Sequence, residues 1–253
     1  MTAHGATPLL SVEAVTKRFG GLVAVDGVTF GLDAGGICGL IGPNGAGKTT
    51  LFSLIAGFER PSEGRIRFRG EDMSGLPAHG RATAGIARTF QIVQPFAGLT
   101  VVENIAVGAH LRHKRRADAL AKASEVAQRV GLGRERDAQA AGLTVAGRKR
   151  LELARALATE PALLLLDEVL AGLNPSEIRD ILPVIRSLRD GGVTILMVEH
   201  VMQAVMNLCE HVLVLAQGRL IAEGEPRQVT RDAKVIEAYL GEGAAKRLEA
   251  QHG

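Results

Sequence analysis

The sequence predicts an α/β protein with a mostly parallel sheet, an antiparallel β subdomain and an inserted, mainly helical lobe. Three observations carry this: short apolar runs alternate with helix-length segments over most of the chain, residues 9–30 read as a hairpin, and the middle is rich in Ala, Lys, Arg and Glu at helical spacing. At 253 residues the chain can form one large domain. A chain of that length buries roughly three-quarters of its unfolded surface without staples.

Residues 9–15 and 23–30 are apolar runs around the turn Arg18-Phe19-Gly20-Gly21, the pattern of antiparallel strands. Ile37–Ile41 is continuously apolar but for Gly39, as in a strand buried on both faces. A helix over 49–56 stops at Gly57, just past its last apolar position. In 63–69, Ile66 and Phe68 alternate with Arg65, Arg67 and Arg69, which predicts an edge strand. Apolar 101–111 and charge-rich 112–130 predict helices of the inserted lobe, about 92–148, between core segments of about 9–91 and 149–240. A helix over 149–159 stops at Pro161, and a strand follows over 162–166. Then come a helix over 175–188, a turn at Gly191-Gly192, a strand over 193–198, a helix over 201–208 and a hairpin start at 212–216 with Gly218. Residues 241–253 read as a mobile tail. No internal repeat is found.

Composition removes several functions. A net charge of +3 is too weak and too scattered for a nucleic-acid partner, and seven Phe, one Tyr and no Trp offer little surface for stacking bases. Cys38 and Cys209 lack metal-ligand spacing and read as small hydrophobes of a reducing compartment. No apolar run approaches the ~18 residues of a membrane span.

The most specific stretch is Gly42-Pro43-Asn44-Gly45-Ala46-Gly47-Lys48-Thr49, which fits G-x-x-x-x-G-K-[ST] at every fixed position, between a strand and a helix. Its glycines let successive backbone N–H groups turn onto one anion, and Gly47 opens a helix whose N-terminus is partly positive. Lys48 adds a full charge toward the outer phosphates, Thr49 offers a hydroxyl to magnesium, and Thr50 follows it in the first turn. The chain is therefore expected to bind a nucleoside triphosphate. Asp167 and Glu168 end the wholly apolar strand Leu163-Leu164-Leu165-Leu166, where open α/β sheets gather ligands. Asp167 is expected to hold magnesium and Glu168 to accept a proton from the attacking water. Without the glycine loop the two would read as solvated acids. A GTPase is disfavoured because no Asn-Lys-x-Asp peptide is present, and a dinucleotide oxidoreductase because no G-x-G-x-x-G follows a strand.

Over roughly residues 9–240 the chain resembles the nucleotide-binding subunits of ABC transporters, which implies a P-loop (RecA-like) core, ATP and Mg²⁺. The resemblance makes Phe19 the adenine-stacking aromatic, Gln91 in Arg88-Thr89-Phe90-Gln91 the Q-loop glutamine near magnesium and water, and Ala171-Gly172-Leu173-Asn174-Pro175 the D-loop. It makes His200, after Glu199, the switch histidine at the γ-phosphate. By their own patterns Phe19 reads as a core residue at a hairpin turn, Gln91 as surface and His200 as satisfied structure. Arg-Thr-Phe-Gln, Val-Glu-His and residues 222–241 look most like the ATP-binding subunits of branched-chain amino-acid importers. The implied partners are integral-membrane permease subunits, a second ATP-binding subunit and, indirectly, a solute-binding protein, with the chain peripheral on the cytoplasmic face of the inner or plasma membrane. The rival from another class is a nucleotide-switched ABC ATPase that changes partners without moving a solute.

The main departure lies at the signature, Leu-Ser-Gly-Gly-Gln in the family and Leu143-Thr144-Val145-Ala146-Gly147 here. Thr144 keeps a hydroxyl, but Ala146 puts a methyl where the family has a glycine close to the γ-phosphate, and Gly147 replaces Gln. In the family, one subunit's signature closes over its partner's ATP. The expectation is a heterodimer with unequal sites, favoured over a homodimer, unless Thr144 and backbone N–H groups suffice. The basic runs 113–116 and 148–150 read first as solvated helix faces.

Overall fold

Why the strands and helices fall where they do is visible in a computed structural model that describes residues 7–91 and 94–241. In chain order they are β1 (Leu10–Phe19), β2 (Leu22–Leu32), β3 (Ile37–Ile41), α1 (Lys48–Ala56), β4 (Glu63–Phe68), β5 (Glu71–Asp72), α2 (Ala78–Ala84), β6 (Ile86–Arg88), α3 (Val101–Ala109) and α4 (Arg116–Arg129). A 3₁₀ turn, Ala140–Gly142, leads to α5 (Val145–Leu157), β7 (Leu163–Asp167), α6 (Pro175–Asp190), β8 (Thr194–Val198), α7 (Met202–Leu208), β9 (His211–Ala216), β10 (Arg219–Gly224), α8 (Pro226–Val229) and α9 (Ala233–Leu240). The tail expected at 241–253 lies, beyond Gly241, outside the described residues. The chain divides into two compact units, Met1–Ala78 with Val205–Gly253, and His79–Ala204.

In the first unit β1 and β2 pair antiparallel around Gly20-Gly21, from Leu10 opposite Leu32 to Phe19 opposite Leu22. On the other side of β1 lies β4, whose Ile66 and Phe68 are buried while the intervening arginine side reaches outward. β4 is not the expected edge: β5 pairs with it antiparallel, so the strand order is β2-β1-β4-β5. A two-residue acidic strand carries no alternation to announce itself. β3 runs parallel to β9, Cys38 opposite His211, and β9 turns back into antiparallel β10. All five residues of β3 are buried, which is why it reads as an apolar run.

In the second unit β6, β7 and β8 form parallel pairs, Ile86 opposite Leu163 and Leu163 opposite Thr194. Helices α3, α4 and α5 pack on one another through small and β-branched side chains, including Ile105, Ala109, Ala119 and Ala123. Thr100 caps α3 by accepting from the Glu103 N–H, and Glu103 reaches back to the Thr100 N–H, a reciprocal pair of bonds that fixes the helix start. The run 113–116 is not a helix face. His113 Nε2 lies 2.6 Å from Glu160 Oε1, and the helix begins only at Arg116.

Candidate functional site

The glycine loop lies in the first unit, where buried β3 delivers the chain into residues 42–47 and α1 leaves it. Gly42 has φ +152°, and a Cβ there would sit 2.0 Å from the Leu215 carbonyl oxygen. Gly47, the residue before α1, has φ +101°, and a Cβ would meet the Ala24 carbonyl at 2.4 Å. Both positions therefore exclude any side chain. No side chain caps α1, so its first-turn N–H groups are not consumed by a residue of the cap. Lys48 is buried, and its Nζ donates to the carbonyls of Gly42 at 2.7 Å and Pro43 at 2.9 Å. Asn44, Gly45 and Thr49 are exposed, Pro43 and Thr50 partly so, and Ala46 is buried with its carbonyl accepting from Gly218 N–H. Phe19 ends β1 half-exposed, with Lys17 Nζ 4.8 Å from the ring centroid.

The carboxylates lie in the second unit. Asp167 is the last residue of β7, nearly fully buried, and Arg88 Nη2 of neighbouring β6 donates to its Oδ2 at 2.7 Å. Asp167 N–H donates to Thr89 Oγ1, so the Arg-Thr pair grips both main chain and side chain of this residue. Glu168 follows with φ +48°, a left-handed conformation unusual for a side-chain-bearing residue, and its N–H donates to Val198 O at 3.0 Å. That turn aims its carboxylate at two residues expected at the site in other roles, Gln91 near magnesium and water and His200 at the γ-phosphate. Gln91 Nε2 donates to Glu168 Oε2 at 2.6 Å, and His200 Nε2 lies 2.9 Å from Oε1, donating when the glutamate is ionised. Three residues picked from distant parts of the sequence thus meet through one carboxylate.

Three further residues of this cluster escape sequence reasoning. Lys149 is buried and donates to the carbonyls of Gln91 at 3.1 Å and Glu168 at 3.2 Å. The expectation that 148–150 is a solvated stretch at a helix start fails here, because α5 begins at Val145 and Lys149 shares its buried stripe with Glu152, Leu153 and Ala156. That helical spacing was the available signal. Arg88, three residues before Gln91, has no role that its sequence position suggests; its pairing with Asp167 is visible only in the fold. Glu199, also buried, accepts from Leu170 N–H at 3.0 Å, and burial pushes its carboxyl up to about 7 against the pull of that bond, of His200 N–H and of Lys149.

The residues expected to form the signature sit at the start of α5. Thr144 is the cap, its Oγ1 accepting from Gly147 N–H at 3.1 Å, so Val145, Ala146 and Gly147 form the first helical positions. Asn174 caps α6 in the same way, its Oδ1 accepting from Ser176 and Glu177 N–H, while Glu177 returns a bond to Asn174 N–H. Asn serves this cap as well as Asp would.

A glycine-lined loop entering an uncapped helix, in a chain that also ends a buried strand with Asp-Glu, defines the class of P-loop ATPases. Residues 25–171 match the ABC transporter family, and residues 219–245 match the branched-chain amino acid ATP-binding cassette transporter family. The chain belongs to the ABC transporter family. It is 40% identical over 252 residues to the high-affinity branched-chain amino acid transport ATP-binding protein BraF of Pseudomonas aeruginosa, covering 93% of this chain and 98% of that one. Identity to LivG of Escherichia coli, described in the same words, is 42% over 251 residues, covering 93% and 98%. Among solved structures, the ADP conformation of an ATP-binding cassette of an ABC transporter superposes with a TM-score of 0.85 at 33% identity, covering 94% of this chain and all of the other.

Proposed function

We propose that this chain is the ATP-hydrolysing subunit that energises import of branched-chain amino acids through a membrane permease. The observation that carries the solute class is the match of residues 219–245 to the branched-chain family, a stretch beyond the residues 25–171 that match the general ABC transporter family. The two relatives bearing that name align over nearly their whole length.

In this reading the amides of residues 42–47 and Lys48 hold the triphosphate, and Phe19 stacks on the adenine. Among the described residues no three His, Cys, Asp or Glu side chains converge as a metal cage. Magnesium needs none, since it keeps several waters and takes one or two carboxylates with the substrate's phosphates. Thr49, Asp167 and Gln91 supply the hard oxygen donors that would hold it, and the ion would neutralise charge on the phosphate oxygens. Glu168 takes the proton of the attacking water, Gln91 and His200 orient that carboxylate, and His200 also contacts the γ-phosphate. Catalysis is then mostly positioning and charge neutralisation. Core segments of about 9–91 and 149–240 carry this chemistry, and the lobe of about 92–148 faces the permease.

The chain sits peripherally on the cytoplasmic face of the membrane, and among its described residues no helix is long and apolar enough to cross one. A second ATP-binding subunit completes the assembly, a heterodimer being favoured because the signature is degenerate. Purification of the tagged full chain from detergent-solubilised membranes should recover an integral-membrane permease, and leucine, isoleucine or valine with their binding protein should stimulate ATPase activity of that complex. Recovery with DNA or ribosomes, or a complex indifferent to these amino acids, would overturn the assignment.

A further inference from the structure

We propose that Lys149 is a positioning residue for ATP hydrolysis, clamping the main chains of Gln91 and Glu168 so that their side chains meet; this rests on the reading of Glu168 as the base. The contacts form a closed ring. Lys149 Nζ donates to Gln91 O at 3.1 Å and Glu168 O at 3.2 Å, and Gln91 Nε2 closes the circuit on Glu168 Oε2 at 2.6 Å. An ammonium radiates its donors from one point and can serve two carbonyls that share no plane. Because Lys149 is only 7% exposed, water does not compete for these bonds, and they are stronger than the same contacts at the surface.

The backbone at Glu168 explains why a clamp is needed. With φ +48° the residue sits in a region that costs a side-chain-bearing residue free energy and persists only when its surroundings over-determine it. Its N–H is tied to Val198 O, and Lys149 ties its carbonyl, so both peptide groups flanking the strained bond are held. Relaxation of that torsion would swing the carboxylate away from Gln91 and His200. Lys149 also rides on α5, five residues beyond the Thr144 cap, so the helix opened by the signature carries the clamp on the catalytic carboxylate of its own subunit. A shift of α5 would be transmitted to Glu168 through one side chain.

The competing role for Lys149 is charge balance for the buried Glu152 and Glu199, both of which feel its charge. The two roles separate by kinetics. In the full chain assembled with its membrane subunits, Glu168→Gln should slow hydrolysis by roughly 10² to 10⁴ while ATP binding persists. Lys149→Met should lower kcat about ten- to hundredfold with KM for ATP changed less than about twofold, and Lys149→Arg should recover most of the loss. In the Glu168→Gln background Lys149→Met should cost nothing further, because its effect acts through that carboxylate. Wild-type kcat in Lys149→Met, a loss that adds to Glu168→Gln, or a loss confined to KM overturns the proposal while leaving Glu168 as the base. Near-normal hydrolysis in Glu168→Gln removes the base and the proposal together. Should Lys149→Met not fold, Lys149→Gln takes its place, and failure of both to fold makes Lys149 a residue of stability and sinks the inference.

Discussion

At the scale of single residues, Lys48 shows how a binding charge is kept ready. Its ammonium is buried against the Gly42 and Pro43 carbonyls, so bound phosphate oxygens would replace acceptors it already has. The net gain is that of a bond between two charged groups over one between the ammonium and a neutral carbonyl, and Lys48→Ala should cost about 1.5 to 3 kcal/mol of nucleotide binding, a Kd weakened by roughly 10- to 150-fold. Titration of ATP into the folded variant measures this directly, and wild-type affinity would contradict the phosphate role. Arg88 holds an opposite place, a cation fixed on Asp167 by two buried side chains. It fixes the aspartate's orientation through Oδ2, which suits a residue proposed to share a small divalent ion with phosphates and water.

At the scale of elements, α5 decides what residues 143–147, proposed as an altered signature, can do. Ala146 and Gly147 are its second and third positions, so exchanging them toward the family pattern, A146G with G147Q, moves one helix-weakening glycine out as another comes in. Their propensity effects of about 1 kcal/mol nearly cancel. A Cβ at position 147 would come 3.2 Å from Leu143 Cδ2 and 3.3 Å from Leu143 Cβ, contacts relieved only if Leu143 as a whole gives by a few tenths of an ångström. The triple variant T144S/A146G/G147Q should therefore fold normally and raise ATP turnover of the assembled transporter severalfold if the signature limits it; unchanged turnover would show that Thr144 and the helix amides suffice. The same helix marks the edge of what sequence reveals. The β3–loop–α1 junction was legible to within a residue because an apolar run and Gly57 bracket it. The start of α5 was missed by four residues, since Val145-Ala146-Gly147 shows no apolar period and only the Thr144 cap announced it. Short β6 and β5 had no pattern to read. Asp167, Glu168 and the loop stand out by local spacing, Gln91 and His200 only through family likeness, and Lys149 only by its helical spacing with Glu152, Leu153 and Ala156, which puts it on the buried stripe without revealing the distant carbonyls it meets.

At the scale of the whole molecule, the cluster around Glu168 leaves a mark on global stability through Glu199. Its carboxyl is desolvated and faces Glu168, which raises it, while N–H groups of Leu170 and His200 and the charge of Lys149 pull it down; the balance stands at about 7, above an ordinary value of 4.5. The folded state therefore holds this proton more tightly than the unfolded chain does. Its stabilising contribution is full below about pH 4.5 and fades as pH rises to 7, because the unfolded chain ionises first and the native one must follow at a cost. Over that window the loss is roughly 2 to 3 kcal/mol. Glu199→Gln keeps an acceptor oxygen for Leu170 N–H and has no proton to lose. Asp72 and Glu103, whose carboxyls are held down by bonds from Ser74 and Thr100, pull stability the other way but do so equally in both proteins. Urea unfolding of wild type and Glu199→Gln should give similar midpoints at pH 5, and by pH 8 the variant should be the more stable of the two. An equal gap at both pH values would mean that Glu199 is not protonated in the folded protein at neutral pH, and that the carboxylate beside His200 is instead carried as a buried charge by Lys149.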